Sequence, residues 1–267
     1  MTVLSSALAD EYPIGARAGG MGDAFIASAD NALCVYHNPA ALMSLQTVST
    51  DISFGWEGFP LVENWSTLYA KRGYQGKHTG FGFIKQKRDW EGSPYRSFQF
   101  IKSSAARISN SIYTGINLKY ITQKAGATEY IHKFSLDLGY YQRFGFLNWA
   151  FMARNLLEPK MRSFPRVFIF GAAANLGMFI VECDFAGSDW EQLNSEERDI
   201  RLGIELNIIQ TLSLRGGWED AEEEEMVSAG FGLHSRLRST GLEYCYRTPR
   251  DDLKAGTHWI SYSFLAL

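Results

Sequence analysis

From Gln46 to the end of the chain, apolar and polar residues alternate with a period of two. Ile200, Leu202, Ile204, Leu206 and Ile208 stand against Arg201, Gly203, Glu205 and Asn207. Ile112, Thr114, Ile116, Leu118 and Tyr120 alternate with Tyr113, Gly115, Asn117 and Lys119, and Phe134, Leu136, Leu138 and Tyr140 with Ser135, Asp137 and Gly139. Leu147, Trp149 and Phe151 oppose Asn148, Ala150 and Met152, with Arg154 next on the polar face; Phe179, Val181, Cys183 and Phe185 face away from Glu182 and Asp184. Strict alternation marks strands with one apolar and one polar face. It predicts strands near 46–56, 64–72, 77–87, 95–106, 110–124, 128–142, 146–156, 164–174, 177–187, 197–208, 211–218, 225–234, 237–247 and 256–267. They are even in number.

The stretch before them has another character. Gly15-Ala-Arg-Ala-Gly-Gly-Met-Gly22-Asp-Ala-Phe, continuing through Asp30-Asn31 to Asn38-Pro39-Ala40-Ala41-Leu42, fits neither a strand nor a long amphipathic helix. Asn38 followed by Pro39 is a helix start, Asn as N-cap and Pro at the first helical position. Asp30-Asn31 is placed to cap another short helix, through Val35. Short helical pieces joined by glycine turns are expected here.

The connections between strands also alternate. Those after odd-numbered strands read as longer and polar, such as Glu57 to Glu63, Arg88 to Pro94, Gly187 to Glu196, Glu219 to Glu224 and Thr248 to Ala255. Those after even-numbered strands read as tight, such as Phe144-Gly145, Asn175-Leu176, Ile209-Gln210 and Ser235-Arg236. Outer-membrane barrels have short periplasmic turns and longer external loops, so this pattern points to an all-β, antiparallel transmembrane barrel of about 14 strands. A soluble β-sandwich is the alternative, and it has no reason to alternate in this way.

In a membrane barrel the apolar face meets lipid and the polar face lines the lumen. Two features favour that inversion over a solvated sheet face. The polar faces are rich in glycine (Gly115, Gly139, Gly203, Gly217, Gly230, Gly232), and they carry both signs of charge in mid-strand: Lys119, Asp137, Arg154, Glu182, Asp184, Arg201, Glu205, Arg215, Glu243 and Arg247. Such groups in a narrow lumen would satisfy one another as ion pairs. A barrel of this size leaves an open lumen. Residues 10–45 are therefore expected to form a plug, or hatch, inside the barrel of residues 46–267. Gly15, Gly19, Gly20 and Gly22 would allow close packing, Arg17 and Asp23 would pair with wall charges, and Asn38 and Pro39 would start a short helix.

Composition adds less. A formal net charge of −3 and a pI near 6.0 make no case for nucleic acid. Aromatics at 14% favour strands. No apolar run is long enough for a transmembrane helix, which does not bear on strands. Ser6-Ala7-Leu8-Ala9 before Asp10 reads as a signal-peptidase site, making residues 1–9 a possible signal-peptide remnant, with an ordinary N-terminus as the alternative. Cys34, Cys183 and Cys245 show no metal spacing and are expected to be buried thiols.

With Gly15–Asp30 and Val35-Tyr-His-Asn-Pro-Ala-Ala-Leu42 in view, the N-terminus resembles the signature of PorV/PorQ-type proteins, within the superfamily of FadL-type long-chain fatty acid transporters. The C-terminal segments Arg201–Glu205, Leu214–Trp218, Ser228–Leu233, Leu242–Arg247 and Gly256–Phe264 resemble the same proteins. The resemblance implies a plugged, fourteen-stranded outer-membrane barrel in contact with lipid. Such barrels take up hydrophobic small molecules or serve as accessories of type IX protein secretion. A non-transporting envelope scaffold is the alternative role. Two departures stand out: the external loops are short, and Phe264 is followed by Leu265-Ala-Leu267 where such barrels commonly end in an aromatic residue.

No catalytic or cofactor motif is present: the five histidines are scattered, and neither HExxH nor Gly-x-Ser-x-Gly occurs. Gly15–Gly22 is not a phosphate loop, because it follows no strand and lacks a Gly-Lys-Ser/Thr ending. No enzyme and no cofactor are expected. Clustered carboxylates attract hard cations, which makes Glu222, Glu223, Glu224 and Glu225 a weak metal candidate against the plainer reading of a solvated loop.

Overall fold

The structure, a computed structural model, describes residues 13–57, 64–73, 76–90, 93–125, 129–157, 166–187, 198–221, 224–235 and 239–266. Fourteen strands follow in chain order. They are β1 Val48–Glu57, β2 Asn64–Arg72, β3 Lys77–Trp90, β4 Ser93–Arg107, β5 Ile112–Ala125, β6 Ile131–Phe144 and β7 Leu147–Arg154, then β8 Val167–Asn175, β9 Phe179–Gly187, β10 Asp199–Ile209, β11 Leu212–Ala221, β12 Glu224–His234, β13 Thr240–Pro249 and β14 Thr257–Ala266. Each pairs antiparallel with its sequence neighbours, and β1 pairs with β14 from Val48↔Ala266 to Glu57↔Thr257. The sheet is a closed barrel, so every strand edge is paired.

The period of two decides which residues face where. Val181, Phe185, Leu202, Ile204, Leu118, Phe134, Phe83 and Leu233 point outward and are 39–72% exposed. The other face is buried although it is charged: Lys119, Asp137, Glu182, Asp184, Arg201, Glu205, Arg215, Glu243 and Arg247 are each at most 7% exposed. Apolar outside and ionic inside is the reverse of a water-soluble protein, and it matches a barrel whose solvent is lipid.

Two connections differ from the sequence expectation. The stretch Arg88–Pro94 was expected to be a polar loop, yet the β3–β4 ladder runs on to Trp90↔Ser93. The β11–β12 ladder likewise reaches Ala221↔Glu224. Polar residues on both faces hide a strand from periodicity where it rises beyond the apolar zone, since neither face there needs to be hydrophobic.

Residues 13–45 lie against the inward faces. They contain two short helices, α1 (Ala16–Gly20) and α2 (Cys34–His37), and a 3-10 turn, Pro39–Ser44. The rest is turn structure. Asn38 caps the 3-10 turn by accepting from the Ala40 N–H at 3.0 Å, with Pro39 at the first position. Asp30 and Asn31 do not cap α2 through a side chain; its N-cap is Leu33, and Asn31 instead accepts from the Leu33 N–H at 3.0 Å. Ile14, Met21, Phe25, Ile26, Leu33, Val35 and Leu42 are fully buried, so the apolar core of the molecule sits inside the barrel, around this segment.

Candidate functional site

Residues 13–45 contact the wall through all three of their short helical elements. α1 packs on β11 to β14, α2 on β2 to β4, and the 3-10 turn on β2 to β6. Small residues permit this approach. A Cβ at Gly217 would lie 2.0 Å from the Gly22 nitrogen, and one at Gly115 would lie 2.3 Å from both the Ala40 nitrogen and the Pro39 carbonyl carbon. Gly22 itself has φ of +64°, a conformation an L side chain rarely adopts.

Two ionic clusters hold α1 and the turn after it. The Arg17 guanidinium donates to both Glu205 oxygens, Nε to Oε2 at 2.8 Å and Nη2 to Oε1 at 3.1 Å. Its Nη1 donates to Asp30 at 2.5 Å, and the group lies 5.3 Å from the Phe25 ring centroid. Glu205 also accepts from Arg215 Nε at 2.6 Å, and Arg215 continues to Glu243. In the second cluster Asp23 lies 3.4 Å from Arg247, which donates to Glu219; Glu219 also accepts from Arg201 Nε at 3.0 Å. Bidentate, charge-assisted pairs in a buried site are the strong kind of hydrogen bond.

Residues 25–27 have no regular structure to satisfy their backbone donors, and the wall supplies acceptors. Asp184 Oδ2 accepts from the N–H groups of Phe25 and Ile26 at 3.0 and 3.4 Å, and Glu182 Oε1 from that of Ala27 at 2.6 Å. Further round the barrel, Asn38 Nδ2 donates to the Ile26 and Tyr140 carbonyls at 3.1 and 3.2 Å. Asn117 Nδ2 donates to the Val35 carbonyl at 3.0 Å and to Asp137 at 3.1 Å. Lys119 sits 2.7 Å from Asp137 and donates to Asn155 at 2.5 Å, and Arg154 stacks 4.7 Å above the Tyr36 ring.

The structure places Arg17, Gly19, Gly20, Gly22 and Asp23 against β10 to β13, and Asn38 and Pro39 across the lumen against β5 and β6, while Gly15 packs on Leu33 of the same segment. Asn117, Asn155 and Glu219 also belong to this contact, and periodicity alone does not single them out. Glu219 was read as part of an acidic loop, but it shares the inward parity of Arg215 and Gly217 and is 1% exposed. Trp259 was also missed: it faces inward and is buried beside Gly55.

The acidic stretch is divided. Glu222 and Glu223 lie outside the described residues, as do residues 1–12. Glu225 is engaged by Arg250 and by Trp218 Nε1 at 3.4 Å. Among the described residues no three metal-ligating side chains gather.

Between Ser28–Asp30 and the wall at the short-turn end lies a cavity of about 380 Å³, lined by Ser44, Gln46, Arg143, Asn148 and Asn175. Its polar lining suits water rather than a hydrophobe.

No protein-family model matches the chain, and no curated protein matches it. Solved structures do. The toluene transporter TbuX of Ralstonia pickettii superposes with a TM-score of 0.71 at 10% identity, over 95% of this chain and 98% of that one. A FadL homologue of Pseudomonas aeruginosa gives 0.69 at 8% identity, over 95% and 98%. The monoaromatic hydrocarbon channel CymD gives 0.66 at 11%, over 95% and 97%. At such identities the likeness is one of fold. A closed fourteen-stranded barrel of this fold, with a lipid-facing apolar exterior, belongs in the bacterial outer membrane.

Proposed function

We propose that the chain is a plugged outer-membrane channel for hydrophobic small molecules, with residues 10–45 as its plug and the Arg17–Glu205 cluster as its latch. One observation carries the reading: residues 13–45 occupy the lumen and are fixed by side chains of a continuous wall, so whatever crosses must displace them. Two of the fold neighbours, a toluene transporter and a monoaromatic hydrocarbon channel, support this substrate class. The gate residues are Gly15, Arg17, Gly19, Gly20, Gly22, Asp23, Asn38 and Pro39.

Deleting residues 10–44 tests the plug: ion conductance in planar bilayers rises, and unchanged conductance sinks the idea. Lipid extraction of the purified barrel tests the cargo, with co-purified fatty acid or hydrocarbon as the supporting result.

A second reading has one observation in its favour. The inward faces of β9 to β13 carry Glu182, Asp184, Arg201, Glu205, Arg215, Glu219, Glu243 and Arg247, a poor surface for a hydrophobe to slide along. A non-transporting component of a secretion or envelope machine, as the PorV/PorQ resemblance implies, would tolerate such a lumen. A stoichiometric protein partner on a purified sample with no bound lipid would favour it.

A further inference from the structure

The outward faces of β3 to β6 carry an ordered sequence of residue types, read in cross-strand rows. One row is aromatic: Phe83↔Phe100↔Tyr120↔Phe134. Its rings touch, with centroids 5.0 Å apart for Phe83–Phe100 and 5.2 Å for Tyr120–Phe134. Two residues further toward the long connections, a step of about 7 Å along the strand, come Lys85↔Phe98↔Thr122↔His132. His132 is held there by Tyr120, its Nδ1 2.8 Å from the hydroxyl. The next row is cationic: Lys87↔Arg96↔Lys124. Beside it the Lys124 ammonium lies 5.5 Å from the Tyr130 ring centroid.

Like charges directly opposite one another destabilise a sheet, and here three adjacent strands place cations in one row. Lys102, one row below the aromatics, adds another outward cation whose long stem is able to snorkel toward a rim. The row lies within four residues of the long-connection ends of its strands, which are 14 or 15 residues long. About 9–11 residues cross a bilayer, so these strands carry the cations out of the hydrocarbon. Two other outward aromatic clusters, Trp56, Tyr244, Tyr246 and His258 on β1, β13 and β14 and Phe151, Phe168 and Phe170 on β7 and β8, have no Lys or Arg in them.

Both barrel ends, Val48 and Ala266, lie at the opposite rim, so the cations face the leaflet on the long-connection side, the external one. We propose that Lys87, Arg96 and Lys124, with Lys85 beneath them, bind the phosphates of an outer-leaflet lipid whose acyl chains lie along the Phe83–Phe134 aromatic row. Charge complementarity identifies the headgroup, and the apolar row directly below it identifies a lipid rather than a soluble anion.

The test titrates the full chain in detergent micelles with bisphosphorylated lipid A and with its dephosphorylated form, counting bound lipid by native mass spectrometry. The triple variant Lys87→Gln, Arg96→Gln, Lys124→Gln is expected to weaken binding of the phosphorylated lipid tenfold or more. A charge-matched control, Lys71→Gln, Lys77→Gln, Arg107→Gln at the opposite rim, leaves it within twofold. Heat-modifiable electrophoretic mobility reports folding; should the triple variant misfold, Arg96→Gln with Lys124→Gln replaces it, with at least a threefold loss expected. Equal binding by the rim variant and the wild-type chain overturns the proposal. So does an equal loss in the control, equal affinity for the dephosphorylated lipid, or displacement of lipid A by millimolar inorganic phosphate.

Discussion

Arg17 Nε reaches Glu205 Oε2 at 2.8 Å across 188 residues of chain, and the same oxygen accepts from Arg215 at 2.6 Å. One carboxylate therefore serves both the N-terminal segment and the wall. The two arginines should separate in mutation. Arg17→Gln leaves Glu205 partnered by Arg215 and strands only Asp30, whose side chain is 52% exposed. It should cost about 2 kcal/mol, and bilayer conductance should rise while the barrel still folds. Arg215→Ala leaves Glu205 its Arg17 pair but strips the buried Glu243 of its arginine, with His234 3.6 Å away. It should cost about 3–5 kcal/mol, read as a lower urea midpoint of the heat-modifiable band. Equal effects of the two variants on conductance would refute the division.

Neighbouring glycines on β11 make a sharper pair, because no charge changes. A Cβ at Gly217 meets the segment's backbone at 2.0 Å, whereas one at Gly216, facing lipid, meets only Ile204 Cγ2 at 3.7 Å. Backbone does not yield as a side-chain tip does. Gly217→Val is expected to displace the segment and raise conductance toward that of the deletion. Gly216→Val should be silent in conductance and within about 0.5 kcal/mol in stability. A silent Gly217→Val would mean that the segment is not packed on β11 in the membrane.

Cys34 offers a reporter of that displacement. It is fully buried in α2, and burial pushes its thiol well above the usual range, so the reactive thiolate is suppressed. In the resting barrel it should resist maleimide at pH 7.5 for hours, with the label located by peptide mass spectrometry to exclude Cys183 and Cys245. Raising pH within the stable range should not help much, since the thiolate fraction stays small below the raised pKa. Arg17→Gln should speed labelling at least tenfold. Rapid labelling of the unmodified chain would show the segment open at rest.

Much of this was legible because a strand exposes its environment every second residue. Lys119, Asp137, Arg201, Glu205 and Arg215 share strand and parity with Gly115, Gly139, Gly203 and Gly217, so a common polar face can be read without coordinates. The partners cannot. Whether Glu205 meets Arg17 or Arg201 depends on where a turn-rich segment of residues 13–45 settles across the lumen, and nothing in local sequence encodes that. Glu219 was lost for the related reason that its neighbours Asp220 and Ala221 to Glu225 look like a loop when both faces of a ladder are polar. The Pro39–Ser44 turn was signalled by Asn38-Pro39, but the tighter 3-10 winding came from packing against β4 to β6.

The acidic pair on β9 tests whether charge or hydrogen bonding holds residues 25–27. Asp184 accepts from Phe25 and Ile26, and Glu182 from Ala27, in each case from backbone N–H groups that have no alternative partner in a helix or ladder. An amide oxygen accepts such a bond nearly as well, whereas a methyl group does not. Asp184→Asn and Glu182→Gln should therefore keep wild-type conductance and Cys34 protection. Asp184→Ala and Glu182→Ala should each leave buried donors unsatisfied, at a cost of about 1–3 kcal/mol, and should expose Cys34 to maleimide. If the amides fail as badly as the alanines, negative charge is what the site requires. The contact would then act through Arg201, which pairs in register with Asp184 across the β9–β10 ladder, and the Arg201→Gln variant would reproduce the loss.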